Sequence, residues 1–191
     1  LLSTPRHTAD EQMLERLLTH YQALARNAPY APAMIPCLLD PGQIVAYAER
    51  LGFSARIPHP LGDLIRIPDG QAPLLAYFRN NVLHVFALPA LIACLLSHNR
   101  NLAAQRVTEA VAGIYGLMGT ELFLHWAPEE LPSVTKTIID VFVERGLLFR
   151  NDTGRLSAPE QNSQAFVELR MLGETLRPIL ERHFLTLAML Q

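Results

Sequence analysis

Hydrophobic positions in this chain recur mostly at helical spacing. Leu14, Leu17, Leu18, Tyr21, Leu24 and Ala25 follow a three-and-four rhythm. The stretch Thr8-Ala-Asp-Glu11 before them reads as a capping box, and the helix should stop near Ala28, ahead of Pro29. A proline-punctuated loop over 29–36 follows. Asp40-Pro41-Gly42-Gln43 then predicts a second helix start, with Asp as N-cap and Pro in the first turn. Ile44, Val45, Ala48 and Leu51 form its apolar face, and Gly52 suits the position just past its end. Pro58 and Pro60 keep the next segment extended. Leu64–Ile67 and Leu74–Ala76 flank an Asp69-Gly70 turn signal, which predicts a hairpin.

The most apolar stretch runs from Leu74 to Leu96 and predicts a central core helix, apolar almost all round. Its polar groups cluster near the start. At about 100° per residue, Tyr77, Asn80, Asn81 and His84 share one face, and Arg79 points nearly opposite. Buried polar groups without partners cost about 1–3 kcal/mol each. Tyr77, Arg79, Asn80, Asn81 and His84 are therefore expected to form a buried polar network or a contact with another domain. The uncharged run Val82–Leu96 is 15 residues long and contains His84 and Pro89, shorter than a typical membrane span of about 20.

Beyond this helix, Asn101 is a candidate cap for a helix over 102–114, and Gly113, Gly116 and Gly119 predict a break. TELFLHW (120–126) reads as a short helical stretch. Val134, Ile138, Ile139, Val141 and Phe142 mark a helix over 131–145 with Gly146 after it. LLFR, the turn Asn151-Asp-Thr-Gly154, and RLSA complete a helix–strand–turn–strand layout like that of a winged helix. A last helix should start near Ser163, kinked or restarted at Pro178. The expected fold is mainly α (α+β): a helical domain with two small β-hairpins, the second winged-helix-like. Residues 1–126 form a helical core around 77–96, 127–160 the winged-helix-like part, and 161–191 the long helix.

Composition adds limits. The chain has 191 residues, 50% hydrophobic and 18% charged, with a net charge of −2, so no global charge favours nucleic acid or anionic lipid. Across 128–160, Lys136, Arg145, Arg150 and Arg155 face six acidic residues, Glu129, Glu130, Asp140, Glu144, Asp152 and Glu160. That balance is a poor match to a phosphate backbone, and no nucleic-acid partner is expected. Cys37 and Cys94 are expected to be buried free thiols. No phosphate-binding, dinucleotide, hydrolase or zinc motif is present, and no metal or cofactor is expected. His59 and Asp63, four apart in a loop, are weighed as a base and its orienter, and a surface-loop role is favoured. A chain that begins at Leu1 and stops inside the apolar run at Gln191 is expected to be a fragment.

The stretch YFRNNVLHVFALPALIACLL (77–96) resembles the membrane-bound glycerol-3-phosphate acyltransferases of bacteria, relatives of the mitochondrial enzymes. LLSTPRHTADE, the APYAP loop, HPLGDLIRI, TELFLHW and LGETLRPILERHFLTLAML are similar in the same order. The resemblance implies a parent enzyme that moves an acyl group from acyl-CoA or acyl carrier protein to the sn-1 hydroxyl of glycerol 3-phosphate, giving lysophosphatidic acid. It implies a parent on the cytoplasmic face of the inner membrane. The family's His-x4-Asp catalytic motif has no counterpart here, because His59 and Asp63 have three residues between them. The chain resembles the region after the catalytic domain. It is expected to be inactive alone, to carry no catalytic or substrate-binding residue, and to partner the acyltransferase domain of its parent. A stand-alone winged-helix-like interaction module is the alternative.

Overall fold

The computed structural model describes residues 1–31, 33–99, 101–119 and 121–189. The described chain forms two compact units, Leu1–Val82 and Leu83–Gln191, and the division falls inside one long helix.

In the first unit, β1 (Thr8–Asp10) leads into α1 (Glu11–Asn27), followed by α2 (Pro41–Arg50), β2 (Ala55–Ile57) and β3 (Leu64–Arg66). The strands form an antiparallel sheet in the order β1-β3-β2, with Ala9 opposite Ile65 and Arg56 opposite Ile65. Ala9 and Ile65 are buried, as are Leu17 and Leu24 on α1. The cap of α1 is Asp10, whose carboxylate accepts the Met13 N–H at 2.8 Å, and not Thr8. Thr8 is committed to strand β1, so pairing with β3 displaces the local capping box. At α2 the sequence signal holds. Asp40 is the N-cap, and the Gln43 side chain accepts its N–H at 3.1 Å. Gly52, at φ +73°, follows the helix in the left-handed region that favours glycine.

The first hairpin pairs β3 with β2, not with 74–76. The Asp69-Gly70 turn is present, with Gly70 at φ +82°, but it leads into α3 (Ala72–His98). Leu74 and Leu75 extend a long helical register, and helix wins over a three-residue strand there.

The second unit contains the end of α3, then β4 (Leu102–Ala103), α4 (Ala104–Met118), α5 (Leu131–Glu144), β5 (Phe149–Arg150), β6 (Arg155–Ser157), α6 (Gln164–Glu174) and α7 (Arg177–Met189). Sheet order β4-β6-β5 completes the winged-helix connectivity, with β4 adding a third strand to the expected hairpin. The turn is held by Asn151, whose side-chain oxygen accepts the Thr153 and Arg155 N–H groups at 3.1 and 2.9 Å, and Gly154 sits at φ +73°. The core joins Leu91, Ile92 and Leu96 of α3, Val107, Val111 and Met118 of α4, Ile138, Ile139 and Phe142 of α5, and Leu156 and Leu169, each 2% exposed or less.

Three local expectations change in this unit. Asn101 does not cap α4. It takes φ +62°, and its side chain accepts the Arg155 Nε–H at 2.9 Å, which ties β4's approach to β6. Helix α4 runs through Gly113 and Gly116 and ends at Met118, because tertiary burial of Val107, Val111, Tyr115 and Met118 outweighs glycine's weak helix propensity. Residues 121–126 are not helical. The segment is pinned instead by the Trp126 N–H, which donates to the Tyr115 hydroxyl at 3.0 Å. Pro178 does restart the last helix. It sits second in α7, where its missing N–H costs nothing.

Candidate functional site

The polar cluster on α3 occupies an uncovered part of that helix. Residues 72–82 include no buried side chain, whereas 83–96 include nine. Tyr77 is 62% exposed, and Asn80 and Asn81 are also exposed. Arg79 and His84 are half-buried. The Arg79 guanidinium donates to the Asn80 side chain at 3.1 Å. The five residues share one helix, and Tyr77, Asn80 and Asn81 stand exposed on it. By length and apolarity α3 could also cross a membrane, with half of its most apolar window buried within the chain, a burial also found in soluble core helices.

The structure assembles a second group that spacing could have revealed. Cys94 and His98 are four apart on α3, one helical turn. With Ser97 they line a cleft of about 880 Å³ whose other walls include Arg170, Gly173 and Arg177. The Cys94 sulfur lies 4.0 Å from His98 Nδ1, which suggests a thiol–imidazole pair. Two observations argue against such chemistry. His98 Nδ1 is 2.9 Å from the Cys94 carbonyl oxygen, and a carbonyl accepts only from a donor, so Nδ1 carries the proton and cannot take the thiol's. Burial, reinforced by the Glu174 carboxylate, raises the Cys94 thiol above its ordinary value, which keeps it protonated at neutral pH. Ser97 also donates to that carbonyl, at 3.0 Å. The group closes the C-terminal end of a helix.

Cys37, expected to be buried, is exposed, and both cysteines are free. Its loop is anchored through the backbone, where Gln22 Nε2 donates to the Cys37 and Leu39 carbonyls at 3.1 and 2.7 Å. Alkylation with iodoacetamide at pH 8, followed by peptide mass analysis, should therefore label Cys37 at least tenfold faster than Cys94. Equal rates would contradict the protonated, half-buried state of Cys94.

His59 and Asp63 serve different partners. His59 Nδ1 accepts the Leu61 N–H at 3.2 Å, and Asp63 binds Arg56 at 3.0 Å. Arg56 is the strongest electrostatic feature of the first unit. Its guanidinium grips both Glu11 oxygens at 2.5 Å and reaches Glu49 at 3.1 Å. One side chain on β2 thus joins α1, α2 and the turn before β3. Hydrogen bonds to Glu11, then to Glu49 and Asp63, push the Arg56 guanidinium far above its usual value. On α5, in the place of a DNA-reading helix, Asp140 is bound by Lys136 of the same helix at 3.1 Å and by Arg150 of β5 at 2.6 Å. Arg150 and then Lys136 hold that carboxyl below its ordinary value. Among the described residues no group of three histidine, cysteine or acidic side chains is placed to hold a metal.

These features define a winged-helix-containing α+β region without an assembled catalytic constellation among its described residues. The sequence model of the glycerol-3-phosphate acyltransferase C-terminal region matches residues 1–191, and the chain belongs to that family. Curated relatives named glycerol-3-phosphate acyltransferase match all of it. The Pseudomonas putida protein is 35% identical over 190 residues, the Xylella fastidiosa protein 32% over 193, and the Pseudomonas aeruginosa protein 34% over 190. The chain spans only 22–23% of the length of these relatives.

Proposed function

We propose that this chain is the non-catalytic C-terminal region of a glycerol-3-phosphate 1-O-acyltransferase. The parent transfers a fatty acyl group from acyl-CoA or acyl carrier protein to the sn-1 hydroxyl of glycerol 3-phosphate, at the cytoplasmic face of the inner membrane. The observation that carries this reading is the full-length family match to a region making up under a quarter of the relatives that bear the enzyme's name. The paired or capped state of Cys94, His98, His59 and Asp63 supports assigning the chemistry to the remaining three quarters.

In this reading the region works by packing. It provides a stable surface against which the acyltransferase domain keeps its acyl and phosphate subsites in shape. The winged-helix connectivity serves as an architectural unit, since Lys136 and Arg150 are both engaged by Asp140. The test uses the parent enzyme in membranes with labelled glycerol 3-phosphate and palmitoyl-CoA. The full chain should form lysophosphatidic acid, the isolated region should form none, and the parent lacking this region should lose at least tenfold in rate. Full activity after the deletion would sink the packing role, and acyl transfer by the isolated region would sink the non-catalytic assignment.

A further inference from the structure

We infer that the face of α3 bearing Leu74, Tyr77, Phe78, Asn81 and Val82 is the seat on which the part of the same polypeptide outside this region docks. The inference rests on the reading of this chain as a C-terminal region. These positions follow the spacing i, i+3, i+4, i+7, i+8, a single stripe along about two and a half helical turns. Leu74, Tyr77, Phe78 and Val82 are 41%, 62%, 43% and 51% exposed, and Asn81 is also exposed. Single exposed apolar residues are ordinary, but an aligned aromatic and aliphatic stripe marks a contact surface. Phe78 is already oriented, with the Phe53 ring edge-on at 5.8 Å and Tyr77 at 5.9 Å. Rigid aromatic anchors of this kind dominate the energetics of protein contacts.

The chemistry of the stripe selects the occupant. Asn81 lies within the stripe and Asn80 beside it, and hydrocarbon offers an amide no partner, whereas a protein surface does. A helix that lies on a lipid surface carries a row of cations on its polar face, and Arg79 is the one cation among residues 72–82. The stripe is also small. Eleven residues of helix extend about 16 Å, too little for the roughly 1,000 Å² that a separate partner needs for a stable complex. A partner on the same polypeptide needs less, because the tether supplies an effective concentration on the order of millimolar. Relatives of this chain hold more than three quarters of their length outside it.

Photo-crosslinking in the full-length enzyme tests this, with p-benzoylphenylalanine in place of Tyr77. The expected product is an intrachain crosslink to a peptide from outside residues 1–191. Adducts on phospholipid, a crosslinked dimer on a denaturing gel, or no adduct would each overturn the proposal. In parallel, the full-length double variant Leu74→Asp/Tyr77→Asp should lose at least fivefold in acyl transfer and release this region faster to trypsin. Phe149→Asp, at a 55% exposed position in the second unit, should do neither. Unchanged rate and proteolysis in the double variant would overturn the docking face. A wild-type parent without acyl transfer would overturn the function itself, and the crosslink would still report the contact.

Discussion

Gly173→Ala should lower the unfolding free energy of this chain by about 2 kcal/mol, whereas Gly113→Ala should raise it by about 0.5–1 kcal/mol. Both replacements occur within helices, and both gain alanine's propensity advantage of about 1 kcal/mol. They differ in what the new methyl meets. At Gly173 it would lie 2.9 Å from the Cys94 backbone nitrogen and 3.0 Å from its Cα, so α6 must move away from α3. Overpacking against backbone costs roughly 1–3 kcal/mol or more and outweighs the propensity gain. At Gly113 nothing lies within 4 Å. Thermal unfolding should show Gly173→Ala melting about 4–8 °C lower and Gly113→Ala about 1–4 °C higher. Equal shifts of one sign would mean that the helices do not approach as closely as Gly173 implies.

Arg56→Met should destabilise the chain by about 1–2 kcal/mol at pH 7. The guanidinium is 33% exposed, and its partners Glu11, Glu49 and Asp63 are 24%, 23% and 35% exposed. Solvent screening therefore keeps the effect well below that of a fully buried ion pair. It exceeds a lone surface pair because three carboxylates would be left together without a cation. The contacts are ionic and partly screened by solvent, so added salt should shrink the gap between wild type and variant at pH 7. Urea titrations of both proteins at low and high ionic strength measure this, and a gap that widens with salt would rule out the electrostatic origin.

Much of the architecture was legible in the order of residues. Periodicity located α1, α2, the core of α3, α5 and the last helix, because each buries one continuous apolar face. Glycines at positive φ closed α2 and α5, and Asn151 to Gly154 marked the wing. The sequence misled where two local preferences competed and a distant partner decided. Thr8 could cap a helix, but β3 drew it into a sheet. Asn101 could cap α4, but Arg155 holds it elsewhere. Leu74–Ala76 could pair as a strand, but the register of α3 absorbs it. The Cys94–His98 spacing was visible, yet which group the imidazole serves depends on a carbonyl position that no pattern supplies.

By itself the sequence determined the family, the helix-dominated fold and the lack of a His-x4-Asp motif, since these depend on residue identity and short-range spacing. The exposure of the α3 polar stripe, the four-element grip of Arg56 and the backbone contact at Gly173 were decided only by tertiary structure. Each depends on residues far apart in the chain, and loop-closure entropy, burial and charge pairing fix their distances only once the whole unit has packed.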